Sequence, residues 1–323
     1  MRVLSTFAFA LGALVATVTA FTNPIKSTDG SDPHMTYHDG YYYLTSTTWT
    51  NIQITRATTM AGLKTATPKV IWTDSTASRC CNMWAPEIHW TFGSWHIYYS
   101  AGTSDTLDNQ KLHVLAGSST SIWDSSWSYL GRVAIPNRDV WSIDGTIMFW
   151  GSNTYLVYSS WDGSNQCLYI AQMTSAYQVG NCVKISTPTL SWEIVGGAVN
   201  EGPAMLYHGG RTFLVYSASF CAGTGYKLGR LELTGSNPLS ASSWTKYGSP
   251  IFQSSNGQYQ PGHNGFFTPP SGNIWNVYHA NTASPGACDG TRYTAVQPVN
   301  WNSDGTPNLG APLPLSSNIA EPS

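Results

Sequence analysis

The sequence predicts an all-β chain folded as a five-bladed β-propeller, and two observations support this class. A Gly-containing turn followed by an aromatic-rich strand recurs five times, at 39–47, 92–102, 151–160, 209–218 and 271–280. Helical periodicity is almost absent, since no window of a dozen residues carries an apolar stripe at i, i+3, i+4 and i+7. Self-similarity at a fixed period, with about four strands per unit, is typical of propellers.

The spacing of the repeats fits five blades. Alignment brings one position of each repeat into register, with steps of 55, 59, 58 and 62 residues between Leu44, Tyr99, Tyr158, Tyr216 and Tyr278. These steps exceed the usual propeller period of roughly 40–50 residues, and longer loops can absorb the difference. A single β-sandwich with chance resemblances would not give matches along the whole chain.

Each blade can be assigned in order along the chain. Blade one, at about 23–70, contains the Asp39-Gly40 turn and the alternating strand NIQITRA (51–57). Blade two contains MWAPEIHW (83–90) and KLHVLAGS (111–118), and blade three begins at VWSIDGTIMFW (140–150). Blade four begins at AVNEGPAML (198–206), and blade five begins near Tyr259 and includes RYTAVQPVNW (292–301). The sequence does not indicate how the ring closes.

The N-terminal 20 residues resemble a secretory signal, and residues 21–323 are expected to form one domain, the five-bladed propeller. Arg2 precedes an apolar run at 7–18, and Val-Thr-Ala stands before Phe21, as at a small-residue cleavage site. The apolar run is too short to span a bilayer. Five units of roughly 58 residues use nearly all of the remaining chain. We therefore expect a soluble, secreted monomer with no membrane partner.

Composition restricts the class of partner. Charged residues make up 10% of the chain and the formal net charge is −2, which excludes a strongly basic nucleic-acid binder. Aromatic residues make up 13%, including 14 Trp, and suit either packing between blades or stacking on sugar rings.

Six cysteines in a secreted chain allow up to three disulfides, in 15 possible connectivities. Cys167 and Cys182 flank two adjacent strands and could form a bridge within blade three. Cys221 and Cys288 follow equivalent strands and could connect blades four and five. Adjacent Cys80 and Cys81 could form a vicinal disulfide or remain free thiols. No zinc site is expected, because no CxxC or paired His/Cys spacing occurs.

Unusual residues stand about twelve to fifteen positions before each repeated strand: Asp32, the Trp84-Ala85-Pro86 turn, Asp144, Glu201 and His263. The innermost strand of every blade begins beside the central channel, so these residues should converge. Each acid alone could be an ordinary turn residue. Turn formation would not, however, require all three acids to share one register of the repeat.

Converging carboxyl groups predict acid–base chemistry. The chain has 17 Asp and Glu, of which 5 are Glu, so three at blade starts is a concentrated use. Neighbouring negative charges raise one another's pKa and keep one group protonated. Raising the pKa of a Glu by about two units needs about 2.7 kcal/mol, which one close charge and partial burial can supply. Glycoside hydrolysis uses such a pair, a protonated acid and an ionised base or nucleophile.

The ordered motifs SDPHMTYHDGYYYLTST, NMWAPEIH, WSIDGTIMFW, VNEGPAML and QPGHNGF resemble glycoside hydrolase family 43 over essentially the whole mature chain. Within that family the chain is most similar to secreted enzymes that remove α-L-arabinofuranosyl units. The resemblance implies a five-bladed propeller that hydrolyses its substrate with inversion. It implies that Asp32 is the general base, that Glu201 is the general acid, and that Asp144 orients Glu201 and raises its pKa.

The resemblance also assigns binding residues. Trp84 would form a wall of the terminal sugar subsite, with the backbone of Ala85 in reach. Arg292 would bind sugar hydroxyls, although it could instead be a surface charge at a strand edge. His263 matches a histidine near a calcium or other cation, although it could equally be structural, and the chemistry itself requires no cofactor. His34 and His279 are expected in the core or at the rim, and Glu87 is expected to support its turn.

The expected activity is release of terminal α-L-arabinofuranosyl residues from arabinan or arabino-oligosaccharides, so that the partner is an arabinose-containing plant polysaccharide. An endo-arabinanase, a β-xylosidase and an arabinoxylan debranching enzyme remain alternatives within the family. A sugar-binding propeller without catalysis is a further alternative. Lectin propellers repeat one binding set in every blade, whereas the blade starts differ here.

Overall fold

A computed structural model describes residues 19–322 as a five-bladed β-propeller, which confirms the predicted fold. The expected signal at 1–20 lies almost entirely outside the described residues. Within 19–322, no helix is both long and apolar enough to cross a membrane.

Within the described residues, β1 (Ala20–Phe21) comes first and is followed by the first two sheets. Blade one contains β2 (His34–His38), β3 (Tyr41–Thr45), β4 (Ile52–Ala57) and β5 (Lys69–Trp72), with the short helix α1 (Met60–Leu63) before the last strand. Blade two contains β6 (Cys81–Thr91), β7 (Ser94–Gly102), β8 (Lys111–Gly117) and β9 (Trp127–Arg132). Both sheets are antiparallel meanders.

The remaining three blades follow the same order. Blade three contains β10 (Ile143–Trp150), β11 (Asn153–Asp162), β12 (Asn165–Met173) and β13 (Val179–Ser186). Blade four contains β14 (Asn200–His208), β15 (Arg211–Ala218), β16 (Lys227–Leu233) and β17 (Trp244–Lys246), with 3-10 turns at Ser191–Glu193 and Ala241–Ser243. Blade five contains β18 (Tyr259–Phe267), β19 (Trp275–Asn281) and β20 (Tyr293–Pro298). The chain ends with β21 (Asn300–Trp301), β22 (Pro307–Asn308) and β23 (Ile319–Ala320).

The first strands of the five blades, β2, β6, β10, β14 and β18, contact one another in a closed ring and line the central channel. The core lies between neighbouring blades. It is filled by the second strands, whose aligned residues Leu44, Tyr99, Tyr158, Tyr216 and Tyr278 are all buried. An aromatic side chain buries about 150–250 Å², which at about 25 cal/mol per Å² contributes roughly 4–6 kcal/mol. The repeat therefore reflects the wedge-filling role of this strand.

The N-terminal segment closes the ring. The backbone N–H of Ile25 donates to the carbonyl of Thr294 at 2.9 Å, and Thr294 N–H donates to the carbonyl of Lys26 at 2.8 Å. The side chain of Asn23 adds hydrogen bonds to both the carbonyl and the N–H of Val296. Residues 25–26 thus complete the outer edge of blade five, while β1 pairs with β23.

Two of the three expected disulfides are present, Cys80–Cys81 and Cys221–Cys288. The expected Cys167–Cys182 bridge is wrong, and both thiols are free and buried. In the β12–β13 ladder Cys182 lies opposite Ala171, four residues along the strand from Cys167. At about 3.3 Å per residue, the two sulfur atoms are too far apart to bond.

Candidate active site

Near the start of each inner strand, the residue at one equivalent position lies in the left-handed backbone region. The φ values are 54° at Asp32, 46° at Ala85, 57° at Asp144, 53° at Gly202 and 39° at His263. In every blade this residue lies two positions before the first uninterrupted pair of the inner ladder. Such local irregularities re-aim side chains, and they gather at functional sites. Here they direct the blade starts to one mouth of the channel.

The expectation that all three acids share one register is wrong by one residue for Glu201. In blade four the left-handed position belongs to Gly202, and Glu201 precedes it. A Cβ added at Gly202 would lie 2.9 Å from Cγ of His263, so no side chain fits there. The N–H of Gly202 donates to Oδ2 of Asp144 at 3.0 Å. The Glu-Gly-Pro motif thus lets blade four approach its neighbours closely and connects the Glu201 backbone to Asp144.

Asp32 is held as an ionised carboxylate. Its Oδ2 accepts from the hydroxyl of Thr47 at 2.5 Å, and its Oδ1 lies 3.3 Å from Nδ1 of His263 and 3.5 Å from the Arg292 guanidinium. Its backbone N–H donates to Nδ1 of His279 at 3.0 Å. Burial disfavours the charge, but Arg292 and the two histidines outweigh burial and hold the pKa of Asp32 well below its usual range.

The pKa of Glu201 is shifted in the opposite direction, above its usual value. Burial raises its pKa, although hydrogen bonds from Tyr226 and Gln166 partly offset this and the charge of Asp32 adds to it. The Tyr226 hydroxyl donates to Oε1 at 2.8 Å, and Nε2 of Gln166 donates to Oε2 at 2.9 Å. These two bonds fix the orientation of the carboxyl group.

Asp144 completes the carboxyl cluster. It is 6% exposed, and burial raises its pKa to about 7, with opposition from His263 and reinforcement from Glu201. One carboxyl group of the site is therefore ionised at neutral pH, and two others retain protons unusually well. This is the separation of acid and base that hydrolysis of a glycosidic bond requires.

The carboxyl groups lie in a pocket of about 340 Å³ that also includes Arg292 and His263. Aromatic side chains surround them, namely Trp49, Trp84, Trp141, Trp161 and Phe220. The buried Nε1 of Trp84 has no hydrogen-bond partner among the described residues. The backbone N–H of Ala85 donates to Oγ1 of Thr47, which connects this turn to Asp32. The structure therefore brings all seven sequence-predicted site residues together.

Sequence reasoning missed Thr47, Gln166 and Tyr226, which contact the acids. Gln166 and Tyr226 stand at the starts of third strands, where the sequence shows no repeated motif. His279, expected in the core or rim, is 1% exposed and contacts Asp32. Glu87, expected to support its turn, is absent from the lining of this pocket, and it instead pairs with His89 at 2.6 Å.

The cation expected near His263 remains a prediction. Nδ1 of His263 lies 3.3 Å from Asp32 and 3.9 Å from Asp144. Within residues 19–322, however, His263 belongs to no group of three His, Cys, Asp or Glu ligand atoms close enough to share an ion. Protein ligands alone do not enclose a cation at this position.

Comparison with known proteins gives matches along the chain. A family model described as glycosyl hydrolases family 43 matches residues 21–307. An extracellular exo-α-(1→5)-L-arabinofuranosidase of Streptomyces avermitilis is 39% identical over 91% of this chain and 64% of its own length. The α-L-arabinofuranosidase 43 of Humicola insolens is 36% identical over 95% of this chain and 67% of its own length.

A solved structure agrees with these matches. The crystal structure of an α-L-arabinofuranosidase from Lactobacillus brevis has a TM-score of 0.85 to this chain at 32% identity, covering 92% of this chain and 98% of that one. The chain spans about two thirds of the length of the Streptomyces avermitilis and Humicola insolens relatives. With the family model covering most of its length, the chain belongs to glycosyl hydrolases family 43.

Proposed function

We propose that the protein is an exo-acting α-L-arabinofuranosidase, which removes terminal arabinofuranosyl units from arabinan or arabino-oligosaccharides with inversion. The observation that carries this proposal is that Asp32 and Glu201 lie in one aromatic-walled pocket whose groups shift the pKa of Asp32 down and that of Glu201 up. The names of the Streptomyces avermitilis and Humicola insolens relatives support the choice of sugar.

Asp32 is the general base of the proposed reaction. It takes a proton from a water molecule, whose oxygen forms a bond to the anomeric carbon from the face opposite the leaving group. The charge on Asp32 is available at neutral pH because Arg292 and His263 stabilise it. The hydrogen bond from Thr47 fixes one carboxylate oxygen and leaves the other to face its cationic neighbours.

Glu201 is the general acid. It donates its proton to the glycosidic oxygen as the bond from that oxygen to the anomeric carbon breaks, so that the sugar leaves with inverted configuration. Asp144 acts through Glu201, because it accepts a hydrogen bond from Gly202 N–H and because ionisation of one of these two carboxyl groups disfavours ionisation of the other, so that the pair retains a proton. No step requires a metal ion.

The pocket walls fit a sugar. A furanose ring has apolar faces that stack on aromatic rings and hydroxyl groups that need hydrogen-bond partners. Trp84 offers an aromatic surface in the pocket lining, and Trp49 packs edge-on against it with ring centroids 5.6 Å apart. Arg292, which is 5% exposed, presents guanidinium donors beside Asp32. We assign terminal-sugar recognition to Trp84, the Ala85 backbone and Arg292.

We further propose that the protein is secreted and acts as a monomer on plant polysaccharide. The N-terminal apolar segment supports secretion, and the Streptomyces avermitilis relative carries the description extracellular. Mass spectrometry of the protein from culture medium would find the mature N-terminus at Phe21, and an intact Met1 would contradict this.

The deciding experiment compares linear arabinan, branched arabinan, arabinoxylan and xylan, with products separated by size. We expect arabinose monomer from an arabinan, from the earliest time points, and ¹H NMR should show the β-anomer first. Early oligosaccharides would indicate endo action, and xylose would indicate a xylosidase. Binding to arabinan without any sugar release would overturn the proposal in favour of a lectin.

A further inference from the structure

A second pocket lies farther along the same five inner strands, beyond the carboxyl cluster. Its volume is about 390 Å³, and its lining includes Ala204 and Tyr207, which follow Glu201 in β14. Phe149 lies in the corresponding part of β10. Because all inner strands run in the same direction through the channel, this pocket lies at the opposite end from the catalytic groups.

Three metal-ligating side chains meet in this second pocket. Glu87 and His89 stand two residues apart in β6, so both point to the same face of the strand. His34 comes from the neighbouring β2. One ligand atom from each of the three residues lies within 4.8 Å of the other two.

The contacts within the cluster leave lone pairs for an ion. Nε2 of His89 lies 2.6 Å from Oε2 of Glu87, and the His34 and His89 ring centroids are 4.9 Å apart. Nδ1 of His34 accepts a hydrogen bond from Ile88 N–H at 3.3 Å. This hydrogen bond is long and weak, so a metal–nitrogen bond could replace it.

We propose that His34, Glu87 and His89 bind one divalent transition-metal ion of the zinc class, with water from the pocket as the remaining ligand. Two histidines and one glutamate are an established ligand set for zinc, with bonds of about 2.0–2.2 Å. Ligand atoms around a tetrahedral ion are then about 3.3 Å apart. The ion would replace the proton shared by His89 and Glu87, move these two atoms apart by less than about 1 Å, and draw His34 inward.

The chemistry of the donors selects the class of ion. Calcium takes six to eight oxygen ligands, and this cluster offers two imidazoles and one carboxylate. Imidazole nitrogen suits zinc and its neighbours in the first transition row. No zinc spacing was visible in the sequence because His34 is more than fifty residues from the other two ligands and only the propeller brings the two blades together.

The proposed ion would connect blade one to blade two at the inner end of the second pocket, because His34 lies two residues after Asp32 and Glu87 two residues after Ala85. None of the three ligands lines the catalytic pocket. The role of the ion is therefore structural and independent of the proposed hydrolysis. Ligand binding to the native state alone stabilises that state in proportion to the logarithm of the free ligand concentration. Binding of zinc should consequently raise the melting temperature of the protein without altering the rate of arabinoside hydrolysis.

The test uses the full-length mature protein, stripped with a chelator and dialysed against zinc. Elemental analysis should find one zinc per chain in the wild type. The His89→Gln and Glu87→Gln variants should bind zinc more than about tenfold more weakly. His208→Gln is the matched control, because His208 stacks on Trp301 in blade four with ring centroids 3.6 Å apart and takes no part in the cluster; it should bind zinc as the wild type does.

Further measurements cover the case in which a variant does not fold. Cobalt added to wild-type protein should give the visible absorption of a tetrahedral site, and zinc should abolish it. Zinc at about a hundred times its dissociation constant should raise the melting temperature by a few degrees and leave arabinoside hydrolysis unchanged. Absence of bound zinc in the wild type, equal binding by folded His89→Gln, or octahedral cobalt spectra would each overturn the proposal. Zinc that inhibits hydrolysis in proportion to its binding would place the ion at the carboxyl cluster instead, which also overturns it.

Discussion

Replacement of Glu201 by Gln tests the proton-donor assignment most directly. Gln has nearly the same shape, and its amide oxygen can still accept the hydrogen bond from Tyr226, so the fold should survive. Gln cannot donate a proton to the leaving oxygen, however, and general acid catalysis contributes about 10²–10⁴-fold to rate. At about 1.36 kcal/mol per tenfold change, this loss raises the barrier by about 2.7–5.4 kcal/mol.

The loss should depend on the leaving group. With an arabino-oligosaccharide the leaving alkoxide needs the proton, and kcat should fall by the full factor. With a 4-nitrophenyl arabinofuranoside the leaving group is 4-nitrophenolate, which is stable without a proton, so kcat should fall less than about tenfold. Glu232→Gln is the matched control, because Glu232 pairs with Arg211 at 2.7 Å in the same blade, outside the lining of the catalytic pocket. Equal losses on both substrates, or near-normal turnover of the oligosaccharide, would refute the assignment.

Three more predictions follow from the carboxyl cluster. kcat/KM should stay high well below pH 4, because the pKa of Asp32 is depressed. It should fall near pH 7, because the Asp144–Glu201 pair, with raised pKa values, then loses its proton. A profile in which kcat/KM rises between pH 4 and pH 5 would contradict this. Tyr226→Phe removes a hydrogen bond that favours ionised Glu201, so the alkaline limb of the same profile should move to higher pH, and a shift to lower pH would exclude this role. Gly202→Ala puts a Cβ 2.9 Å from Cγ of His263 at a φ of 53°. We expect the free energy of unfolding, measured in urea, to fall by at least about 1–2 kcal/mol, and kcat to fall as well. Unchanged values of both would show that the close approach is unimportant.

Much of the fold could be predicted because the blades repeat. Each second strand is buried between neighbouring blades, so each needs a large aromatic or aliphatic residue at the same position. These large residues recur in the sequence at a nearly constant spacing. Ring closure was not visible, because residues 25–26 pair with Thr294 through backbone atoms, which leave no side-chain signature. The wrong Cys167–Cys182 bridge had a similar cause, since strand register was not known.

The candidate site was only partly visible in the sequence. Acids at blade starts were conspicuous because charged residues are scarce, and a repeat aligns them within one position. The groups that set their protonation were not apparent. Gln166 and Tyr226 are ordinary polar residues in unremarkable strands, and only their position against Glu201 gives them a role.

The pairing between the first and last blades has a consequence for biosynthesis. Asn23 and Val296 are 273 residues apart, yet they share two hydrogen bonds. Four blades can assemble from nearby sequence as the chain emerges, whereas the fifth keeps an open edge until its own third strand is made and the earliest segment returns to it. A nascent chain is thus exposed to edge-to-edge aggregation until translation is nearly complete, and a pulling force on the N-terminus would open the ring at this same seam.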